Sequence, residues 1–183
     1  MRAVTRLASL SIEQLDRGIW ADELLLAVRS VVPATVGAVR LLVDEGTWVT
    51  LATCGAHEDE PAASPAARTV STRQRYLQAG GPLMLEPYDD DDAEPSTGAP
   101  SHPRVVGFPL LVEGELLGAV ELRLPPIEVD DPARSDAFDE VQWLVDIGAM
   151  MLVNLEAYQR EHDASELLQR LLDGEVDEPS TAG

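Results

Sequence analysis

The sequence predicts an α+β fold: a central antiparallel sheet of about five to six strands, N- and C-terminal helices on one face, and a short helix with loops over the other. Three observations predict it. Two pairs of apolar runs each flank a Glu-Gly dipeptide, at Glu45-Gly46 and Glu113-Gly114. Segments of helical spacing precede the first pair and follow the second. The stretches between them are rich in proline, glycine and acid, which punctuate structure rather than continue it. The 183 residues suit one domain with tails, with the domain over 1–160 and a short amphipathic helix and disordered acidic tail over 161–183.

Taken in order, residues 5–30 carry Leu7, Leu10, Leu15, Ile19, Leu24, Leu25 and Val28 roughly on one side of a helix. Ser11, with Gln14 three residues on, is a candidate cap for its start, and Pro33 ends the pattern. Residues 36–44 and 47–54 read as strands joined by the two-residue turn at Glu45-Gly46. A polar, Ala/Pro-rich loop follows over 55–67. Residues 70–79 suit a short helix that Gly80-Gly81-Pro82 stops, and 83–86 make a short strand. The segment "PYDDDDAEPSTGAPSHP" at 87–103 is a long acidic loop with four prolines; loops of this length inside a domain are functional or disordered.

The second hairpin pairs 104–112 with 115–124 across Glu113-Gly114, where glycine supplies the positive φ of a tight turn. Pro125-Pro126 ends it. A long helix is expected over 138–160, then a separate short one in "ASELLQRLLDG" ending at Gly174. From Ile147 to Val153 the long helix is apolar or glycine throughout. A helix that is apolar on more than one side is covered on more than one side. One side covers the sheet. The other, with Trp143, Ile147, Met150 and Val153, is expected to form a two-fold homodimer interface, or to meet the first helix.

Composition narrows the partners. The chain has 33 acidic and 13 basic residues, a formal net charge of −20, and every basic residue is Arg. Such a surface repels nucleic-acid phosphates and anionic membranes, so neither is an expected partner. A lysine-free acidic chain fits a halophile, or equally a high-GC genome that favours Arg codons. The N-terminus lacks the apolar stretch of a signal peptide and no segment is apolar enough to span a membrane, so a cytoplasmic protein is expected. Cys54, the single cysteine, excludes an internal disulfide and any cysteine-cluster metal site. His57, His102 and His162 are not at metal-ligand spacing, and "DDDD" at 89–92 lacks the spacing and glycine of a calcium loop. No nucleophile elbow, phosphate loop or zinc-protease motif is present. An enzyme is therefore not expected, no metal is, and no cofactor is named.

Strand alternation points to a site. Ala38, Arg40 and Leu42 share one face of the first strand and Val39, Leu41 and Val43 the other; Ala119, Glu121 and Arg123 oppose Val120, Leu122 and Leu124 in the last. Each strand thus has an apolar face for the helices and a mixed one. The mixed face is either solvated, with a weak cross-strand ion pair, or the floor of a pocket.

The element order and "RVVGFPLLVEGELLGAVEL" resemble the GAF domain, a small-molecule sensor fold. The features that carry the resemblance are Phe108-Pro109-Leu110, Gly114 with Gly118, Val120-Glu121-Leu122, and "QAGGPLMLE" at 78–86. The resemblance covers about residues 5–160. It implies a pocket on the mixed face, roofed by the short helix and the acidic loop, with Arg40, Tyr76, Met84, Phe108, Glu121 and Arg123 as candidate ligand-binding residues. It implies a sensory and signalling domain that binds a small ligand and passes its state to a partner protein through its terminal helices. The alternative is a non-catalytic dimerisation module with a vestigial pocket. Phe138-Asp139-Glu140 is present, but Leu124-Pro125 stands where cyclic-nucleotide-binding members carry Asn-Lys. Bilin-binding members need a suitably placed cysteine, and Cys54 falls at the end of the second strand.

Overall fold

A computed structural model describes residues 16–32, 34–44, 47–55, 70–85, 104–125 and 132–173. The Ser11 start, the acidic run at 89–92 and the tail beyond 173 lie outside these residues. The described chain runs α1 (Arg17–Arg29), β1 (Val36–Leu42), β2 (Trp48–Cys54), α2 (Val70–Ala79), β3 (Leu83–Leu85), β4 (Arg104–Val112), β5 (Glu115–Leu124) and α3 (Pro132–Leu172). The five strands form one sheet in the order β2-β1-β5-β4-β3, antiparallel at every pair.

Local sequence fixes several boundaries. Asp16 caps α1: its backbone is extended and its carboxylate accepts from the Ile19 amide at 2.8 Å, satisfying a donor that the first turn leaves open. Asp16→Ala is expected to cost about 1 kcal/mol, read as a lower urea midpoint with an unchanged slope. In the second hairpin Glu113 and Gly114 have φ of 52° and 85°. Two successive positive φ values make the type I′ turn whose twist matches that of the strands. One residue past the turn, Leu110 pairs with Gly118 but Leu111 with Leu116. Leu117 is thus an extra residue, a β-bulge that reverses which side chains face which way.

Val39, Leu41, Val106, Phe108, Leu110, Val120, Leu122 and Leu124 face one side of the sheet and form the main core with α1 and α3. The two helices run antiparallel. The Trp20 indole N–H donates to the Gly148 carbonyl at 3.0 Å in the buried interior, and Arg17 pairs with Glu156 at 2.7 Å. Gly148 permits this close approach: a Cβ there would lie 2.9 Å from both Leu24 methyl carbons, which would have to shift.

Two expectations change. α3 does not stop at 160; one helix of 41 residues runs through to Leu172. The polar stretch from Arg160 to Ser165 contains no Gly or Pro, and Arg, Glu and Ala are good helix formers, so nothing breaks the ladder. The first turn at Glu45-Gly46 lies outside the described residues, but β1 ends at Leu42 rather than 44. Beyond it, Val43 N–H donates to the Thr47 carbonyl and the Thr47 amide to the Asp44 carboxylate, both at 2.9 Å. No described helix is long and apolar enough to cross a membrane.

Candidate functional site

The second face of the sheet lies under α2, and it is not a solvated surface. Alternation carries Arg40 of β1 and Glu121 of β5 to this face, as the sequence predicts. Register makes them diagonal neighbours: Glu121 sits opposite Ala38, and Arg40 opposite Ala119. Arg40 Nε lies 3.2 Å from Glu121 Oε2, and the two side chains are only 3% and 4% exposed. An ion pair at that depth is governed by desolvation, not by its Coulomb attraction alone. Burial accordingly raises the Glu121 carboxyl above its ordinary range, against the downward pull of Arg40 and of the Tyr76 hydroxyl.

Helix α2 meets this pair with one side. Tyr76 follows Thr72 by four residues and Arg73 by three, so it neighbours both on the helix surface; Thr72 and Tyr76 are buried while Gln74, Arg75, Leu77 and Gln78 are exposed. Tyr76 reaches the sheet over Gly107, the residue opposite Glu121 on β4. A Cβ on Gly107 would lie 1.9 Å from the Tyr76 hydroxyl and 2.6 Å from its ring, so glycine is what makes the seat. The Trp48 ring tilts against Tyr76 with centroids 6.2 Å apart. Leu85, Leu116 and Ala119 complete an apolar collar. Burial first, and the Glu121 charge second, push the Tyr76 phenol well above its ordinary value, with Arg40 and Arg75 opposing. Tyr76 therefore stays protonated and is a donor.

The collar encloses more hydrogen-bonding capacity than it satisfies. Tyr76 and Glu121 are close enough to influence each other; Tyr76 Oη and Glu121 Oε1 are buried without a well-formed hydrogen bond, and Trp48 Nε1 and Arg73 Nε are likewise buried and unpartnered among the described residues. Buried groups of this kind are uncommon and call for a partner such as a ligand or ordered water.

Of the candidate residues, Arg40, Tyr76 and Glu121 come together, and Arg123 lies half-exposed on the same face beyond Glu121. Phe108 does not belong with them. It pairs with Val120 and packs edge-on against Phe138 at 5.7 Å, on the helix-covered side. Met84 is likewise displaced: it pairs with Val106, a residue of the main core, and is 44% exposed on the edge strand. Its carbonyl, not its thioether, reaches this region, accepting weakly from Arg75 at 3.4 Å. Trp48, Thr72 and Arg73 were not on the sequence's candidate set. Helical spacing with Tyr76 was the available signal for the last two. Cys54 packs against the main core, opposite Gly37, and cannot tether a molecule held between Arg40 and Tyr76. Among the described residues no group of His, Cys, Asp and Glu is arranged to hold a metal ion.

Comparison with solved structures finds the same architecture. The GAF domain of the cyanobacteriochrome TePixJ superposes with a TM-score of 0.57 at 15% identity, over 81% of this chain and 96% of that one. A GAF domain/HD domain protein from Geobacter sulfurreducens gives 0.55 at 19%, over 78% and 96%. The photosensory core module of Stigmatella aurantiaca phytochrome gives 0.64 at 14%; it matches 97% of this chain, which spans 41% of that larger protein. No protein-family model matches the sequence, and comparison with curated proteins finds no match. The chain therefore has a GAF-like α+β fold. At these identities the likeness defines the fold and not a ligand.

Proposed function

We propose that the protein is a sensory and signalling domain. In this reading it binds a small molecule between α2 and the sheet and passes the bound state to a partner protein through α1 and α3. The observation that carries it is the enclosed set of unpartnered polar atoms on Trp48, Arg73, Tyr76 and Glu121, in a fold whose relatives by structure include photoreceptor GAF domains. Because Arg40 and Glu121 largely neutralise each other, an acidic group on the ligand is expected to engage Arg123 at the margin. Native mass spectrometry under conditions that retain ligands tests for a co-purified molecule. With that molecule as titrant, Arg123→Ala is expected to weaken calorimetric binding by about ten- to a hundred-fold, the worth of a charged hydrogen bond. Unchanged affinity would remove Arg123 from the site.

A second reading has its own support. Tyr76 fills the space that Gly107 leaves, as a side chain would in a pocket that has closed for good. The domain is then an assembly module, and native spectra will show protein alone.

Both readings use the outer side of α3. Trp143 and Met150 are 52% and 62% exposed, and Ile147 and Val153 are half-buried. Leaving this apolar stripe in water costs about 25 cal/mol per Å², which a two-fold homodimer would recover. Met150→Glu is expected to give a folded monomer with an unaltered circular dichroism spectrum, read by sedimentation at high salt so that the −20 charge is screened. A wild-type chain that sediments as a monomer overturns the assembly.

A further inference from the structure

The space between α2 and the sheet offers donors and an acceptor in unequal numbers. Trp48 Nε1–H and Arg73 Nε–H can only donate, and each is buried without an acceptor among the described residues. Tyr76 Oη is likewise buried without a well-formed hydrogen bond, and burial keeps it protonated, so it donates as well. Against these stands one unfilled acceptor, Glu121 Oε1. Charge is unequal too. Arg40 and Glu121 cancel across their 3.2 Å contact. Arg73, half-buried on α2, adds a further positive charge. None of the ion pairs among the described residues includes it, although the chain has 33 acidic residues to 13 basic ones.

We propose, on the small-molecule reading above, that the ligand held between α2 and the sheet is a small monoanionic hydroxycarboxylate. Its carboxylate accepts from Trp48, Arg73 and Tyr76, and charge-assisted bonds of this kind are the strong ones. Its hydroxyl donates to Glu121 Oε1. Arg123, half-exposed beyond Glu121, is the outer cation that the same anion meets. Each alternative leaves something unmatched. A neutral molecule leaves the Arg73 charge uncompensated. A zwitterionic amino acid does the same, and sets its ammonium on a carboxylate that Arg40 already neutralises. A phosphate dianion brings more charge than Arg73 offsets. A plain carboxylate leaves Glu121 Oε1 buried without a donor, which costs more than the bond would gain. The body of the ligand lies against the apolar collar of Leu85, Leu116 and Ala119. It is short, because Tyr76 already fills the hollow over Gly107.

Calorimetry on the full chain tests this with two matched sets of probes: lactate, alanine and propionate, then mandelate, phenylglycine and phenylacetate. Within a set only the hydroxyl, ammonium or hydrogen on the α-carbon differs. In at least one set the hydroxy acid is expected to bind about ten-fold or more tightly than either analogue. Arg73→Gln is expected to weaken that binding by about ten- to a hundred-fold, and Trp48→Phe, which keeps a ring and removes the N–H, by up to about ten-fold. Arg73→Lys keeps the charge without the Nε–H and should recover only part of the loss. Equal affinities within each set, no binding of either hydroxy acid, or binding indifferent to both Arg73→Gln and Trp48→Phe overturns the hydroxycarboxylate. Native mass spectrometry separates that failure from failure of the wider reading. A co-purified molecule without a carboxylate overturns the ligand class and leaves the small-molecule domain standing. Protein alone, with no binding of either set, overturns both.

Discussion

Replacing Glu121 with leucine will destabilise the fold by about 3–5 kcal/mol, because it leaves the buried Arg40 guanidinium without its carboxylate. Replacing both, as Arg40→Met with Glu121→Leu, will return most of that stability or exceed the parent. The pair has lost its hydration, and its contact at 3.2 Å offsets that loss only in part; apolar side chains of similar volume avoid the loss. Urea unfolding of the four proteins reads both effects, and a double variant as weak as the single one would show that the charges are a net source of stability. The pH dependence has a definite sign. Burial holds the Glu121 carboxyl above its unfolded value, so between those two values the folded state binds more protons than the unfolded chain. Stability from this group is then greatest at acidic pH and is lost as pH rises through the folded value. Glu121→Gln removes the titration. The parent should therefore lose stability relative to Glu121→Gln between mildly acidic and neutral pH.

A methyl group at Gly107 is expected to cost about 1–3 kcal/mol, the range for overpacking a filled core. The added Cβ would meet the Tyr76 hydroxyl and ring at 1.9–2.7 Å, and the strand beneath is held by β3 and β5 on both sides, so the tyrosine must move rather than the backbone. The effect should be specific to that residue. In a Tyr76→Ala background Gly107→Ala should be nearly silent, a coupling of about 0.5–3 kcal/mol between residues in contact. Near-ultraviolet circular dichroism adds a local readout, since displacing Tyr76 changes the asymmetry around Trp48. Additive costs in the double variant would mean that Tyr76 does not depend on the glycine.

What the sequence could and could not say follows from the range of each signal. The period of two along Val36–Leu42 and Ala119–Leu124 sorted Arg40 and Glu121 from the core valines and leucines, because alternation is a property of a single strand. It could not separate Phe108 from that face. Residues 105–112 are apolar or glycine at both parities, and only pairing with Val120 shows which way the ring points. The bulge at Leu117 shifts parity again and leaves no mark in the sequence. The Tyr76 seat depends on a missing Cβ on a strand far along the chain, which no local pattern encodes. The continuity of α3 was hidden by polarity: "REHDAS" reads as a connector, yet nothing in it stops a helix once one has begun.

The order β2-β1-β5-β4-β3 also bears on how the chain finds its fold. Each hairpin assembles from neighbours in sequence, but the seam that joins them pairs Val36 with Arg123 and Leu41 with Gly118, closing a loop of about 80 residues whose entropy falls due before any contact across it is made. Non-local pairing of this kind is the slow part of β-sheet assembly. The seam is also where Glu121 sits opposite Ala38 and beside Arg40. The contacts that define the candidate site are thus among the last that the sheet can form, and a chain caught before that closure would hold two finished hairpins and no site.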